Sequence, residues 1–178
     1  MAQRQARGGA LKGQARAGLA AGSRAHSCLR SVSLAIVGVM QSPSASGFTP
    51  FVDHLGVEPV RAESGHAEIK LVLKSEHLNG LGVAHGGVVM TLLDVVMAIA
   101  ARSADPDQMG MVTVGMNTSF MRPAKGELYA FGWCDHFSTT MAFCHGELRD
   151  QQGRLLASAT GTFKRMRSFN RRRGGKAD

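Results

Sequence analysis

One segment specifies the architecture of this chain: Asn79-Gly80-Leu81-Gly82-Val83-Ala84-His85-Gly86-Gly87, which runs directly into Val88-Val89-Met90-Thr91-Leu92-Leu93-Asp94-Val95-Val96-Met97-Ala98-Ile99-Ala100-Ala101. Between Gly86 and Ala101 only Thr91 and Asp94 are polar, which predicts a helix that is apolar on every face and surrounded by protein. A bilayer is not the expected surrounding, because the run is shorter than the ~20 residues of a membrane span and carries an acid near its middle. We therefore expect a sheet wrapped around this helix.

Asp94 and the glycines before the helix are the candidate catalytic groups. A carboxylate among apolar neighbours has to be paired or hydrogen-bonded, and this favours a functional role over the alternative, an acid facing a gap at the surface. The first N–H groups of a helix have no partner within it and favour negative charge. Gly86 and Gly87 would let a ligand oxygen approach these N–H groups and so form an oxyanion site, with Asn79 and His85 as neighbouring donors.

The spacing of these groups leads to a prediction about assembly. Asp94 follows Gly86 by eight residues, which is about 12 Å along a helix axis at ~1.5 Å per residue. That is too far for both groups to act on one carbonyl. Either the two do not belong together, or the N–H comes from one chain and the carboxylate from a second copy across a two-fold axis. We predict the dimer.

The charge and the cysteines limit the classes of function. The chain has 178 residues and a net charge of +8, but its basic residues concentrate in residues 1–52 and 164–178. Residues 53–163 hold eight basic and twelve acidic residues, a net charge of −4, so we expect no specific nucleic-acid site on the domain. Three cysteines (Cys28, Cys134, Cys144) suit a reducing compartment, and with scattered histidines they predict neither a disulfide framework nor a metal site. We expect a cytoplasmic protein.

Residues 1–47 are expected to lie outside the domain. Residues 1–31 show no periodicity and predict disorder. The apolar segment Ser31–Met40 and the small residues after it resemble an export signal, and the acid-free, Arg- and Ser-bearing terminus resembles an organelle transit peptide. The interpretation we favour is that translation begins at Met40, which would leave residues 1–39 out of the protein.

The rest of the chain predicts an α+β fold in which an antiparallel sheet wraps one long central helix. A short helix is expected over Phe48–Gly56, and a breaker loop over Ser103–Asp107. Alternation of apolar and polar residues over Glu58–Lys74 predicts a half-buried antiparallel strand. Four more strands are expected over Met109–Met121, Glu127–Phe137, Met141–Asp150 and Leu155–Met166. One sheet curled around one helix buries both, giving a domain over residues 48–167 and a basic, disordered tail over 168–178.

Two motifs identify a family. Asn79-x5-His85-Gly86-Gly87-x6-Asp94 is followed by Val112-Thr113-Val114-Gly115-Met116-Asn117-Thr118-Ser119-Phe120-Met121-Arg122-Pro123-Ala124-Lys125-Gly126. Together they closely resemble the hotdog-fold acyl-CoA thioesterases of the PaaI-like (phenylacetyl-CoA thioesterase) group, over residues 48–167. The sequence departs from the family at Gly115, where relatives often carry a polar or acidic residue, and this bears on acyl preference.

The resemblance implies an active site at a dimer interface. Asn79 and the Gly86 N–H would polarise the thioester carbonyl, and Asp94 of the other subunit would be general base or nucleophile. His85 would support the loop, and Thr113 would orient water beside Asp94.

We accordingly predict hydrolysis of an aryl- or medium-chain acyl-CoA by a homodimer, or a dimer of dimers, without a cofactor. Gly87 is expected to contact substrate, and Arg122 and Lys125 to meet the coenzyme A phosphates. Two alternatives remain: an enoyl-CoA hydratase or dehydratase of the same fold, and a non-catalytic acyl-CoA-binding protein. Five further apolar residues are expected either to line an acyl pocket or to belong to the core: Met90, Met97, Met116, Phe120 and Trp133.

Overall fold

A computed structural model describes residues 48–166. Its helices are α1 (Pro50–His54) and α2 (Gly86–Ala104), and a single 3₁₀ turn covers Ser75–His77. Its strands are β1 (Glu58–Glu63), β2 (His66–Val72), β3 (Gly110–Phe120), β4 (Glu127–Phe137), β5 (Met141–Asp150) and β6 (Leu155–Met166). The predictions for residues 1–47, for Arg167 and for the tail over 168–178 lie outside the described residues.

The strands form one antiparallel sheet in the order β1-β2-β4-β5-β6-β3, and α2 packs against its inner face. The helix comes closest to the sheet at Gly132 on β4, where an added Cβ would lie 2.6 Å from the Val96 carbonyl oxygen. Gly132 pairs in register with Gly146 on β5, so two adjacent strands lack a side chain beneath the helix. The core of α2 fills this contact with Leu92, Leu93, Val96, Met97 and Ala100, all fully buried.

The predicted fold class is confirmed, and most elements lie where the sequence placed them. The bounds of β4, β5 and β6 match the prediction, β3 is shorter by one residue at each end, and α2 is three residues longer. Ala67, Ile69 and Leu71 alternate into the core as expected. Apolar periodicity identifies these segments because each one buries a single face or stripe.

The prediction of one strand over Glu58–Lys74 is wrong, since this segment forms the hairpin β1–β2. Ser64 and Gly65 form its two-residue turn, with φ values of 48° and 82°, and Glu63 pairs with His66 across it. Consecutive positive φ values characterise the tight turn whose twist matches that of the flanking strands. The Ser-Gly pair was the sequence signal for this turn.

The prediction that protein surrounds α2 on every side is also wrong for the single chain. One face of the helix stays open: Met90 is 43% exposed, and Asp94, Val95 and Ile99 are half-buried. Beside this face lies β3, an edge strand on which Val114 is 61% exposed. The sheet covers only one side of the helix, because β1 and β3 do not meet to close it into a barrel.

By length and composition alone, α2 is also the one helix within residues 48–166 that could cross a membrane. In the structure it is the core helix of the domain. The two polar side chains between Gly86 and Ala101 both have partners: the Thr91 hydroxyl donates to the Gly87 carbonyl at 2.9 Å, and Asp94 accepts from a strand residue described below.

A buried ion pair holds the end of α2 to the last strand. Arg165 donates from Nε and Nη2 to the Asp105 carboxylate at 2.7 and 2.8 Å, and the backbone N–H groups of Asp107 and Met109 donate to the same carboxylate. Burial alone would raise the pKa of Asp105, but the hydrogen bonds from Arg165 and the two N–H groups together hold that pKa below its ordinary value.

Candidate active site

The helix N-terminus presents one free N–H group. His85 is the N-cap of α2, and its Nδ1 accepts the Gly87 N–H at 3.0 Å. This bond occupies the N–H of Gly87, so the predicted contact of Gly87 with substrate would not use that group. The Gly86 N–H has no acceptor among residues 48–166. His85 therefore caps the helix, and the Gly86 N–H is left without an acceptor within the described residues.

Asn79 is held with its amide in a defined orientation. Its side-chain oxygen accepts the Leu81 N–H at 2.9 Å and the Val83 N–H at 3.4 Å. Its backbone N–H donates to the Val83 carbonyl at 2.9 Å, which closes the loop. Because the oxygen is occupied by the loop, the Nδ2 group is the part of this side chain that remains to donate to a ligand.

A pocket of about 370 Å³ lies against both donors. Its polar lining includes Asn79, Gly86 and Arg122, and its apolar lining comes from α2 and the strands: Val89, Phe120, Leu148, Leu156 and Ala157. The Phe120 ring lies 3.8 Å from where a Cβ on Gly86 would be. A polar end beside an apolar cavity suits a ligand with a carbonyl joined to an apolar group.

Asp94 and Thr113 form a second pair, away from this pocket. The Thr113 hydroxyl donates to Asp94 Oδ1 at 2.7 Å, a short hydrogen bond to a carboxylate. Neither residue lines the pocket. Both belong to the open surface made by α2 and β3, so one chain carries the donors and the acid at separate places.

Arg122 and Lys125 differ in their placement. Arg122 lines the pocket and donates from Nη1 to the Leu155 carbonyl at 2.7 Å, whereas Lys125 is exposed and does not line it.

Of the apolar residues suggested for an acyl pocket, Phe120 lines the pocket and Met97 belongs to the core. Nothing in the sequence marks Val89, Leu148 and Leu156 as lining residues, because the packing and strand register that bring them together are not visible in one sequence.

Two free thiols lie on neighbouring strands, where Cys134 pairs in register with Cys144. Burial raises the pKa of both thiols. A raised pKa keeps a thiol protonated and unreactive, and neither thiol lines the pocket. The carboxylate of Asp94 is therefore the better candidate for the reactive group of this domain.

Comparison with known proteins finds relatives of this chain. Residues 81–157 match the model of the thioesterase superfamily. A putative esterase of Pseudomonas aeruginosa is 36% identical over 119 residues, which cover 65% of this chain and 87% of that protein.

Solved structures extend the similarity to the fold. The phenylacetic acid degradation protein PaaI from Thermus thermophilus, solved as a mutant, superposes with a TM-score of 0.60 at 27% identity, covering 66% of this chain and all of that one. A Streptococcus mutans protein bound to acetyl-CoA superposes with a TM-score of 0.58 at 26% identity, covering 62% of this chain and 88% of that one. The predicted hotdog fold and its PaaI-like resemblance are confirmed.

Proposed function

Because this chain belongs to the thioesterase superfamily, we propose that it hydrolyses an aryl- or medium-chain acyl-CoA to the free acid and coenzyme A. Thioester hydrolysis is the reaction class of this family. The observation that carries the mechanism is the separation within one chain of the carbonyl-binding donors, Asn79 and Gly86, from the acid pair, Asp94 and Thr113. A complete site then needs two chains.

The carbonyl end of the site is built from Asn79 Nδ2 and the Gly86 N–H. Both are donors without an acceptor among residues 48–166, and both border the pocket. Donors fixed before substrate binds stabilise the oxygen anion that develops when a thioester carbonyl is attacked. The acyl group would extend along Phe120 and Val89 into the apolar part of the pocket.

The acid end of the site is supplied in this proposal by Asp94 of the partner subunit. As general base it takes a proton from water while the oxygen of that water adds to the carbonyl carbon. The C–S bond then breaks, coenzyme A leaves as a thiolate, and the proton held by the carboxyl returns to sulfur. Direct attack by the carboxylate, with an anhydride intermediate, is the alternative route. Thr113 holds the carboxylate oriented in either route.

The open surface of α2 and β3 supports the dimer. β3 is an edge strand with unpaired backbone groups along an 11-residue length, and Val112 and Val114 are exposed on it. A long apolar edge strand favours pairing with another chain. A two-fold axis beside β3 would cover the open face of α2 and bring Asp94 of each chain towards the pocket of the other. Further association into a dimer of dimers is part of the proposal.

The test is release of free thiol from aryl- and medium-chain acyl-CoA substrates. We expect turnover by the parent protein and a loss of at least a hundredfold in kcat for Asp94→Asn, with the fold unchanged by circular dichroism. Asp135→Asn is the matched control, since Asp135 bonds His145 on the sheet and does not line the pocket.

Parental turnover by Asp94→Asn would refute the role of Asp94. Loss of enoyl absorbance without thiol release would favour a hydratase, and saturable binding without turnover would favour a binding protein.

A further inference from the structure

We propose that His77 is a positioning residue that sets the geometry of the loop carrying the carbonyl-binding donors. The proposal rests on the function proposed above and adds a residue outside both motifs of the sequence. His77 ends the 3₁₀ turn Ser75–His77 and is 1% exposed. It does not line the pocket, so it acts through the loop and not on the substrate.

The backbone of His77 closes the base of the loop. The His85 N–H donates to the His77 carbonyl at 2.8 Å, and Leu78 pairs with Ala84 in an isolated β-bridge. The two ends of the loop, His77 and His85, therefore lie next to each other. Asn79 lies two residues after the first point, and Gly86 directly follows the second. A shift of His77 would move both donors relative to each other.

The side chain of His77 fixes where that base sits. Its Nδ1 accepts the Lys74 N–H at 3.0 Å, so the ring proton is on Nε2. Nε2 is buried and has no acceptor among residues 48–166. An unsatisfied buried donor is costly. A leucine would avoid that cost but would leave the Lys74 N–H without its acceptor. The ring atom that makes a hydrogen bond is thus Nδ1, and it ties the start of the loop to Lys74, two residues after the end of β2.

Only Nδ1 of the His77 ring makes a hydrogen bond, so two amide variants distinguish a role of Nδ1 from a role of Nε2. His77→Asn places an oxygen near the position of Nδ1 and keeps an acceptor for the Lys74 N–H. His77→Gln reaches towards Nε2 and lacks that acceptor, and His77→Leu lacks both nitrogens. We expect His77→Asn to keep kcat within about threefold of the parent. We expect the other two to lose about 10- to 100-fold in kcat with KM within about threefold, since small misplacements of catalytic groups have effects of this size.

All four proteins would be assayed well below their melting temperatures, with kcat expressed per folded molecule. A purely structural role would lower melting temperature but leave that kcat unchanged. The proposal is overturned if folded His77→Gln and His77→Leu keep the parental kcat, or if His77→Asn loses as much as His77→Leu.

Amide hydrogen exchange over residues 79–85 tests the same proposal without turnover. His77→Gln and His77→Leu should exchange the Val83 and His85 amides faster than the parent and His77→Asn do. If the parent protein hydrolyses no acyl-CoA, the proposed function fails, but this measurement still decides the role of His77. Equal exchange in all four proteins would overturn it.

Discussion

Replacing Thr113 by valine should slow hydrolysis about tenfold while leaving substrate binding almost unchanged. The substitution keeps the shape of the side chain and removes the hydroxyl that donates to Asp94 Oδ1 at 2.7 Å. Hydrogen bonds to charged groups contribute about 1.5–3 kcal/mol, and this one is partly exposed, so we take the lower end. A loss of about 1.4 kcal/mol in orienting the carboxylate corresponds to about tenfold in rate.

The assay is thiol release with kcat and KM determined separately. Thr113→Ser is the control, since it keeps the hydroxyl, and it should stay within about threefold of the parent. Thr113 faces α2 and not the pocket, so KM should change little in either variant. If Thr113→Val kept the parental kcat, the hydroxyl would not orient Asp94 and the role assigned to Thr113 would be wrong.

Three further predictions concern stability and coenzyme A. Gly132→Ala should destabilise the domain by more than the ~1–3 kcal/mol typical of overpacking, because the added Cβ would lie 2.6 Å from a helix carbonyl oxygen. Gly80→Ala, in an exposed loop with open space around it, should change the unfolding free energy by under ~1 kcal/mol, and equal denaturant midpoints for the two variants would contradict this. The lowered pKa of Asp105 means that its carboxylate stabilises the fold above pH ~4 and that this contribution is lost as pH falls through the lowered pKa. Asp105→Asn should therefore be less stable at pH 7 and lose less stability on acidification, as followed by thermal melts from pH 7 to 3; parallel curves would refute it. Arg122→Ala should raise KM for acyl-CoA about 3- to 10-fold, and Lys125→Ala, outside the pocket, should raise it less; equal KM values for both variants and the parent would argue against a phosphate contact by Arg122.

Local pattern accounts for what the sequence predicted correctly. The apolar run after Gly86 specifies the central helix because each residue in it contributes to burial whatever the rest of the chain does. The alternating segments over β4, β5 and β6 specify their strands in the same way. The spacing of Gly86 and Asp94 along one helix is also local. It predicted that the donors and the acid would lie apart, and the structure places them apart.

What the sequence did not show depends on turns, on contacts between distant segments, or on a second chain. The Ser64–Gly65 turn interrupts a continuous alternation, so it was hidden inside an apparent single strand. The use of the Gly87 N–H by His85 depends on one side-chain rotamer. The open face of α2 follows from how far the sheet curls, which is a property of all six strands together.

The most direct test of the shared site is complementation between two inactive variants. Asn79→Ala lacks a carbonyl donor and Asp94→Asn lacks the acid, so each homodimer should be nearly inactive. After subunit exchange in an equimolar mixture, about half of the dimers are mixed, and each mixed dimer has one site with both groups intact. We therefore predict recovery of about a quarter of the parental activity. Activity that stays at the average of the two separate variants, although mixed dimers are demonstrated, would show that each chain holds a complete site and would contradict the account.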